Sequence, residues 1–271
     1  MKKQYVLESH EEGERLERQS KMKGYNFKEE LRNLKVLPGQ SILDAGCGSG
    51  IVSDYFSKCA SDVSVVGWDF SAARVEAAKI KYSSIKNLRF EQRNLLQLEA
   101  GDVRFDTVLC RYVLRHFSSQ DTKKVISNLS RQLKPGGTLC CVDVEGVLGN
   151  MFPSSSFLKK ALIRLREAKS VNFQVARKLP SLLLEQGFQD IDWRAVISEF
   201  KGEDLLQEIE NLRRAIQHAE PFFKKVLGGT ANFSRFEKEY FSTLKEPGCM
   251  LFYNRIVATG TKPKIKPKLV G

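Results

Sequence analysis

The sequence predicts an α/β protein built on a doubly wound, mostly parallel sheet of seven strands, with a helical cover before it and helical insertions late in the chain. Three observations predict it. Between Ser41 and Val144, short β-rich runs alternate with stretches of helical period, the pattern of a parallel sheet with helices on both faces. The first of these runs leads straight into a turn with glycine at 46, 48 and 50, where backbone must bend tightly. With 271 residues, 42% of them hydrophobic, the chain can bury one substantial core and carry a small accessory subdomain.

Each element has a local reason. Residues 1–35 are highly charged with mixed signs, and Leu16, Met22, Phe27, Leu31 and Leu34 fall at roughly helical spacing; one or two helices lying against the domain are expected. The β-rich runs are Ser41 to Asp44, Val63 to Asp69, Leu88 to Glu91, Phe105 to Cys110 and Gly137 to Val144. Ser71 caps a helix from Ala72 to Tyr82, and Asp121 opens another that reaches Leu133 before Lys134-Pro-Gly-Gly137 stops it. Beyond the fifth strand, Gly146 to Asn172 is a basic, partly helical insertion. Lys178 to Gln186 predicts a helix ended by Gly187, and Ile191 to Ile197 a strand. A second insertion carries a helix from Asp204 to Leu227, with Leu205, Leu206, Ile209, Leu212, Ile216 and Phe223 along one face; Gly228-Gly229 breaks it, and Met250 to Thr259 supplies the last strand. The expected division is a cover over 1–35, a ligand-binding core over 36–145, and 146–271 as the rest of the sheet, with lids at 146–176 and 202–248 and a basic tail.

Composition excludes several classes. No window approaches the roughly 18 to 20 apolar residues of a membrane span, and the first residues lead into charges rather than an apolar signal core; a cytoplasmic address is expected. Six cysteines are scattered without a C-x-x-C pair, which suits buried free thiols and predicts no metal. The formal charge is +12, and its location matters more than its size. Met151 to Pro180 carries a net +6, and the tail around Lys262-Pro-Lys-Ile-Lys-Pro-Lys268 alternates lysine with proline, as a solvated, extended end does.

The chemistry sits in Asp44-Ala-Gly-Cys-Gly-Ser-Gly50. Glycines in that spacing let a ligand lie against main-chain N–H groups. The pattern is G-x-G-x-G rather than the G-x-G-x-x-G of a pyrophosphate turn, and Asp44 beside it repels pyrophosphate while attracting an ammonium. Asp69 ends the next strand, 25 residues beyond Asp44. An acid there can accept from both ribose hydroxyls, or serve only as a negative charge at a helix N-terminus. Together the two features point to a nucleoside bearing an amino group.

Leu43-Asp-Ala-Gly-Cys-Gly-Ser-Gly50, Val66-Gly-Trp-Asp69 and Leu133-Lys-Pro-Gly-Gly137 resemble the successive motifs of class I S-adenosylmethionine (AdoMet)-dependent methyltransferases, over roughly residues 36–145. Tyr112 to Phe117 and Phe252 to Gly260 are similar to the small-molecule branch that includes ubiquinone/menaquinone-biosynthesis and secondary-metabolite methyltransferases. The resemblance implies a Rossmann-like methyltransferase fold, AdoMet as cofactor and S-adenosylhomocysteine as product. It also implies roles: Asp44 and the Gly46, Cys47 and Gly48 backbone facing the methionine portion, Asp69 the ribose, Phe70 one face of the adenine, and Asn94 and Leu95 the adenine edge. The family usually has aspartate where this chain has Asn94, which keeps a carbonyl acceptor but loses the charge. Cys110 and Arg111 would lie under the sulfonium and the methionine carboxylate, Arg111 as a plain surface cation being the other reading. Tyr5, Arg15 and Gln19 of the cover could close over the cofactor.

Methyl transfer asks little of a protein beyond alignment and exclusion of water. No metal is needed. A base helps only where the acceptor must lose a proton, and His116 is the best-placed histidine, though packing or capping explains it too. Both insertions leave from carboxyl ends of strands, so they should roof the acceptor. Phe152, Phe157, Phe173, Phe222, Phe223, Phe233, Phe236, Tyr240 and Phe241 would either line an apolar pocket or form the lids' own core. A small-molecule acceptor is the leading expectation. RNA or protein is the alternative, supported by Lys159 to Lys178 and weakened because Cys110-Arg-Tyr-Val stands where an Asn/Asp-Pro-Pro-aromatic motif would be. A third reading is an AdoMet-binding protein without methyl transfer. The identity of the acceptor and the oligomeric state stay open.

Overall fold

The computed structural model describes residues 10–98, 105–146, 148–152, 154–168 and 171–264. Tyr5, Lys169 and the tail beyond residue 264 lie outside them. Strands β1 (Ser41–Ala45), β2 (Ser64–Asp69), β3 (Leu88–Gln92), β4 (Phe105–Arg111) and β5 (Leu133–Glu145) run parallel, and β8 (Met250–Thr261) lies antiparallel beside β5. The two-residue β6 (Met151–Phe152) and the long β7 (Gln189–Phe200) both pair with β8, giving the order β3-β2-β1-β4-β5-β8-β6 with β7 joined to β8. The seven expected strands are present; β6 is an eighth.

Helices follow the chain as α1 (His10–Lys21), α2 (Phe27–Leu31), α3 (Ile51–Ser57), α4 (Ala72–Lys81), α5 (Ser119–Gln132), α6 (Ser156–Arg166), α7 (Leu179–Glu185), α8 (Gly202–His218), α9 (Glu220–Leu227) and α10 (Thr230–Thr243). Alternation along the strands divides the apolar side chains between two cores. In β1, Ile42 joins Phe56, Val75 and Leu31 under α2, α3 and α4, while Leu43 joins Val125, Leu129 and Leu183 under α5 and α7. A third core belongs to the lids, where α6, α8, α9 and α10 bury Leu158, Ile209, Phe223 and Phe236 together with Leu251 and Tyr253 of β8. Among the described residues no helix is long and apolar enough to cross a membrane.

Four local expectations change. The helix read as Asp204 to Leu227 is two, because Pro221 stands in the first turn of α9, a position that tolerates its missing N–H, whereas a helix interior does not. Lys134 to Gly137 does not end a helix before a later strand. Leu133 already pairs with Phe105, and the next pair is Thr107 with Thr138, so the proline and glycines bulge out of β5 with Gly136 at φ +79°. Ser118, not Asp121, caps α5, its Oγ accepting from the Asp121 N–H at 3.2 Å. Of the six cysteines, Cys47, Cys110, Cys140 and Cys141 are buried free thiols, but Cys59 is exposed and Cys249 half-buried.

Candidate cofactor and active site

The turn after β1 is held by the strand beside it. The N–H groups of Gly46 and Cys47 both donate to the Trp68 carbonyl, at 2.7 and 2.9 Å. Gly46, Gly48 and Gly50 all have positive φ, at +83°, +54° and +77°, where a side chain strains the backbone. Space sorts the three. A Cβ on Gly46 would lie 2.2 Å from Cγ2 of Val113, one on Gly50 would strike Phe90, and one on Gly48 would meet nothing within 4 Å. Two of the glycines are therefore required by the protein's own packing, and Gly48 alone presents bare main chain to open space.

Asp69, only 8% exposed, is built into this turn. Its Oδ2 accepts from Gly48 N–H and its Oδ1 from Ser71 N–H, each at 2.9 Å, and the Arg74 guanidinium stands 4.0 Å from Oδ1. Each oxygen keeps a further lone pair. Asp44 lies at the end of β1, buried, with Oδ2 accepting from Ser53 Oγ at 2.7 Å. Burial pushes its carboxyl up to about 6 against the downward pull of Ser53 and Arg111, and Asp69 adds to the rise. Burial also raises the thiols of Cys47 and Cys110, the first beside Asp44 and the second beside Asp143, so both stay protonated and unreactive.

On the far side of Asp69, Phe70 is 43% exposed and offers a free ring face. Asn94 turns back on its own chain, Oδ1 accepting from Leu96 N–H at 3.0 Å and Nδ2 donating to Gln97 at 3.1 Å; Leu95 is buried. The Asn94 carbonyl thus serves first as a cap, with one lone pair left over.

The end of β4 departs most from expectation. Arg111 does not face an open cleft. Its Nε and Nη2 donate to Oε2 and Oε1 of Glu30 in α2, at 2.5 and 3.2 Å. Glu30, fully buried, also accepts from Tyr112 Oη at 2.6 Å and Arg255 Nη1 at 2.8 Å. Burial works against its charge, yet the Arg111 guanidinium holds its carboxyl below the usual range. Tyr112 itself takes φ +59°, rare for an aromatic residue, and its ring lies 4.0 Å from Arg111 and 5.3 Å from Arg115. That bend lays Val113 over Gly46. His116 follows in a single 3-10 turn. Burial, with Arg115 and then Arg74 nearby, holds its imidazole down at about 3, so it is neutral and a weak proton acceptor at neutral pH.

Nothing in the sequence distinguished Glu30 from the other charges of the cover, nor marked the cluster around Glu208. There Oε1 accepts from Tyr25 and Tyr253, both at 2.8 Å, and Oε2 from Asn211 at 3.0 Å, while Asn211 accepts from Arg15 of α1 at 2.6 Å. Burial pushes Glu208 up to about 7. The lid aromatics resolve into two groups: Phe223, Phe233, Phe236, Tyr240 and Phe241 are the lids' own core, while Phe152 is exposed and Phe173 pairs with Phe222 at 6.3 Å. Beyond β5 a narrow crevice is lined by Glu145, Leu148, Leu162, Leu165, Arg166 and Phe173. Oε2 of Glu145 is buried there with no hydrogen-bond partner among the described residues, its other oxygen being taken by Arg177.

A glycine turn, an acid on each of two neighbouring strand ends, and the sheet order together give the frame of a Rossmann-like methyltransferase fold. Residues 42–137 match the family model described as a methyltransferase domain. It is 30% identical over 168 residues to an O-methyltransferase of Pyrenophora dematioidea, covering 60% of each chain. It is 34% identical over 118 residues to the demethylmenaquinone methyltransferase of Lactococcus lactis, covering 42% of this chain and 46% of that one. The chain thus spans between about half and three-fifths of these curated relatives. Its fold is similar to the Haemonchus contortus phosphoethanolamine N-methyltransferase 2 solved with AdoMet, at TM-score 0.57 and 18% identity over 89% of this chain and 53% of the other.

Proposed function

We propose that the chain transfers the methyl group of AdoMet to a small-molecule acceptor at the carboxyl ends of β1, β4 and β5. The observation that carries this is the knot between Gly48 and Asp69: bare main chain facing open space, next to a carboxylate whose remaining lone pairs suit a pair of vicinal hydroxyls. A cradle of that kind fits AdoMet. Asp69 would accept the ribose hydroxyls, Phe70 pack on the adenine, and Leu95 and the spare lone pair of Asn94 meet its edge. Asp44, once ionised, attracts the ammonium, with the Gly46 to Gly48 backbone and Cys47 alongside; Cys110 lies beneath the reacting end as an inert wall.

When bound, AdoMet supplies a sulfonium whose methyl carbon is already electrophilic. The chain's own work is then orientation and exclusion of water. The cover of α1 and α2 and the lids from α6 and α8 to α10 would enclose the strand ends, the lids being joined by one buried aromatic core. Arg111 is taken up by Glu30 and is assigned no contact with the methionine carboxylate. His116 as a catalytic base is disfavoured by its burial, to which the Arg115 and Arg74 guanidiniums add, so an acceptor that is nucleophilic without strong base assistance fits best. Glu145 Oε2, unpaired in the crevice beyond β5, suits a donor group on the acceptor. The similarity to an O-methyltransferase and a demethylmenaquinone methyltransferase supports a small-molecule acceptor over RNA or protein.

Two measurements test this. Thermal stabilisation by AdoMet and S-adenosylhomocysteine is expected at micromolar concentrations; no shift with either sinks the cofactor assignment. Labelled methyl supplied as AdoMet to a fractionated extract should enter the small-molecule pool, and label confined to RNA or protein would reassign the acceptor.

A further inference from the structure

We infer that Glu30 is a positioning residue for the cofactor: by occupying Arg111 from the cover side, it keeps that guanidinium off Asp44 and leaves the Asp44 carboxylate for the ligand's ammonium. This rests on the cofactor reading above. The geometry sets up the competition. Asp44 pairs in register with Leu109, and strand alternation places Arg111, two residues further on, over the same face. Two carboxylates therefore flank one guanidinium, Asp44 on the neighbouring strand end and Glu30 from α2. Glu30 wins it with two contacts, at 2.5 and 3.2 Å, and the Tyr25 carbonyl takes a further share of Nη2 at 3.5 Å.

Glu30 is itself fixed in place. Arg255 and Tyr112 donate to the same carboxylate, and Arg194 donates to the Glu30 carbonyl at 2.6 Å. The cation it holds could not simply swing into water, since the Arg111 side chain is only 15% exposed. Besides Glu30, the carboxylate that acts electrostatically on Arg111 is Asp44. An Arg111–Asp44 pair would neutralise the carboxylate at the point where a ligand ammonium must bind.

The test compares two ligands that share the nucleoside and differ in the amino-acid portion. S-adenosylhomocysteine carries the ammonium; 5′-methylthioadenosine does not. By titration calorimetry, Glu30→Gln should weaken S-adenosylhomocysteine by about tenfold or more and leave methylthioadenosine within about twofold of wild type. The double variant Glu30→Gln/Arg111→Gln, which removes the competing cation, should recover most of the loss. Equal weakening of both ligands, or no recovery in the double variant, overturns the inference. Should Glu30→Gln not fold, Glu30→Asp, shorter by one methylene and withdrawn from Arg111, should give the same split between the two ligands. Failure of the wild type to bind either ligand would instead overturn the cofactor reading on which the inference stands.

Discussion

The N–H of Gly48 donates to Oδ2 of Asp69 at 2.9 Å, tying the turn that follows β1 to the acid that ends β2. The bond makes one rigid unit of two features that the sequence places 21 residues apart. It also orients the carboxylate, since its other oxygen is held by Ser71. Preorganisation of this kind spares the ligand the cost of ordering the site.

Asp69→Ala should therefore weaken AdoMet and S-adenosylhomocysteine by roughly 30-fold, on the order of 2 kcal/mol for lost hydrogen bonds to a charged acceptor. Asp69→Asn, which keeps one carbonyl oxygen, should fall between the two. Calorimetry reads both, and an unchanged affinity in the alanine variant would show that the ribose lies elsewhere.

Asp44 titrates near 6 because burial opposes its charge. Its protonated form cannot draw an ammonium, so AdoMet affinity should climb as pH rises from about 5 to 7, with a midpoint close to 6. The apo protein should move oppositely. A carboxyl whose folded value exceeds its unfolded value contributes stability below the unfolded value and loses it as pH rises through the folded one. Affinity that stays flat over this range, measured in one buffer system at constant ionic strength, would separate Asp44 from the ammonium.

Glu208 is the second buried acid, pushed up to about 7. Its sign is the same: stability contributed below the unfolded range of a glutamate is lost as pH rises through neutrality. Glu208→Gln, neutral at every pH, should flatten the dependence of Tm on pH between about 5 and 8 while leaving the three donors around it partly satisfied. A slope equal to wild type would mean that the pH dependence originates elsewhere.

Gly46→Ala should be destabilising by at least about 2 kcal/mol, because it combines a strained positive φ with a clash against Val113. Gly48→Ala meets open space, so its main structural cost is the backbone strain. It should therefore keep more stability than Gly46→Ala and yet lose more ligand affinity per unit of stability lost. Parallel thermal melts and titrations of the two variants check this, and identical ratios would argue that Gly48 does not face the ligand.

His116→Ala should lower turnover by less than tenfold. An imidazole held near 3 offers little driving force for proton removal at pH 7. A loss of a hundredfold or more, together with the disappearance of a limb of the pH–rate profile, would restore His116 as a base.

What the sequence determined by itself was whatever depends on neighbours along the chain. The alternation of β-rich runs with helical stretches predicted the mostly parallel sheet with helices on both faces; the strand order came from the tertiary structure. The glycines after Asp44 and the acid 25 positions later marked the candidate ligand crest, since turn geometry and strand ends are local properties. Tertiary structure alone decided the partners of charged groups. Arg111 reads equally as a cofactor contact or a surface cation until α2 is folded against β4, where Glu30, 81 residues earlier in the chain, claims it. The same holds for Glu208, whose donors come from α8, β8 and the turn before α2, and for Gly46, whose need for a bare Cα is set by Val113 from the loop after β4. The physical reason is common to all three: the free energy of a buried charge or a close contact depends on what surrounds it in space, and spacing along the chain carries no record of that.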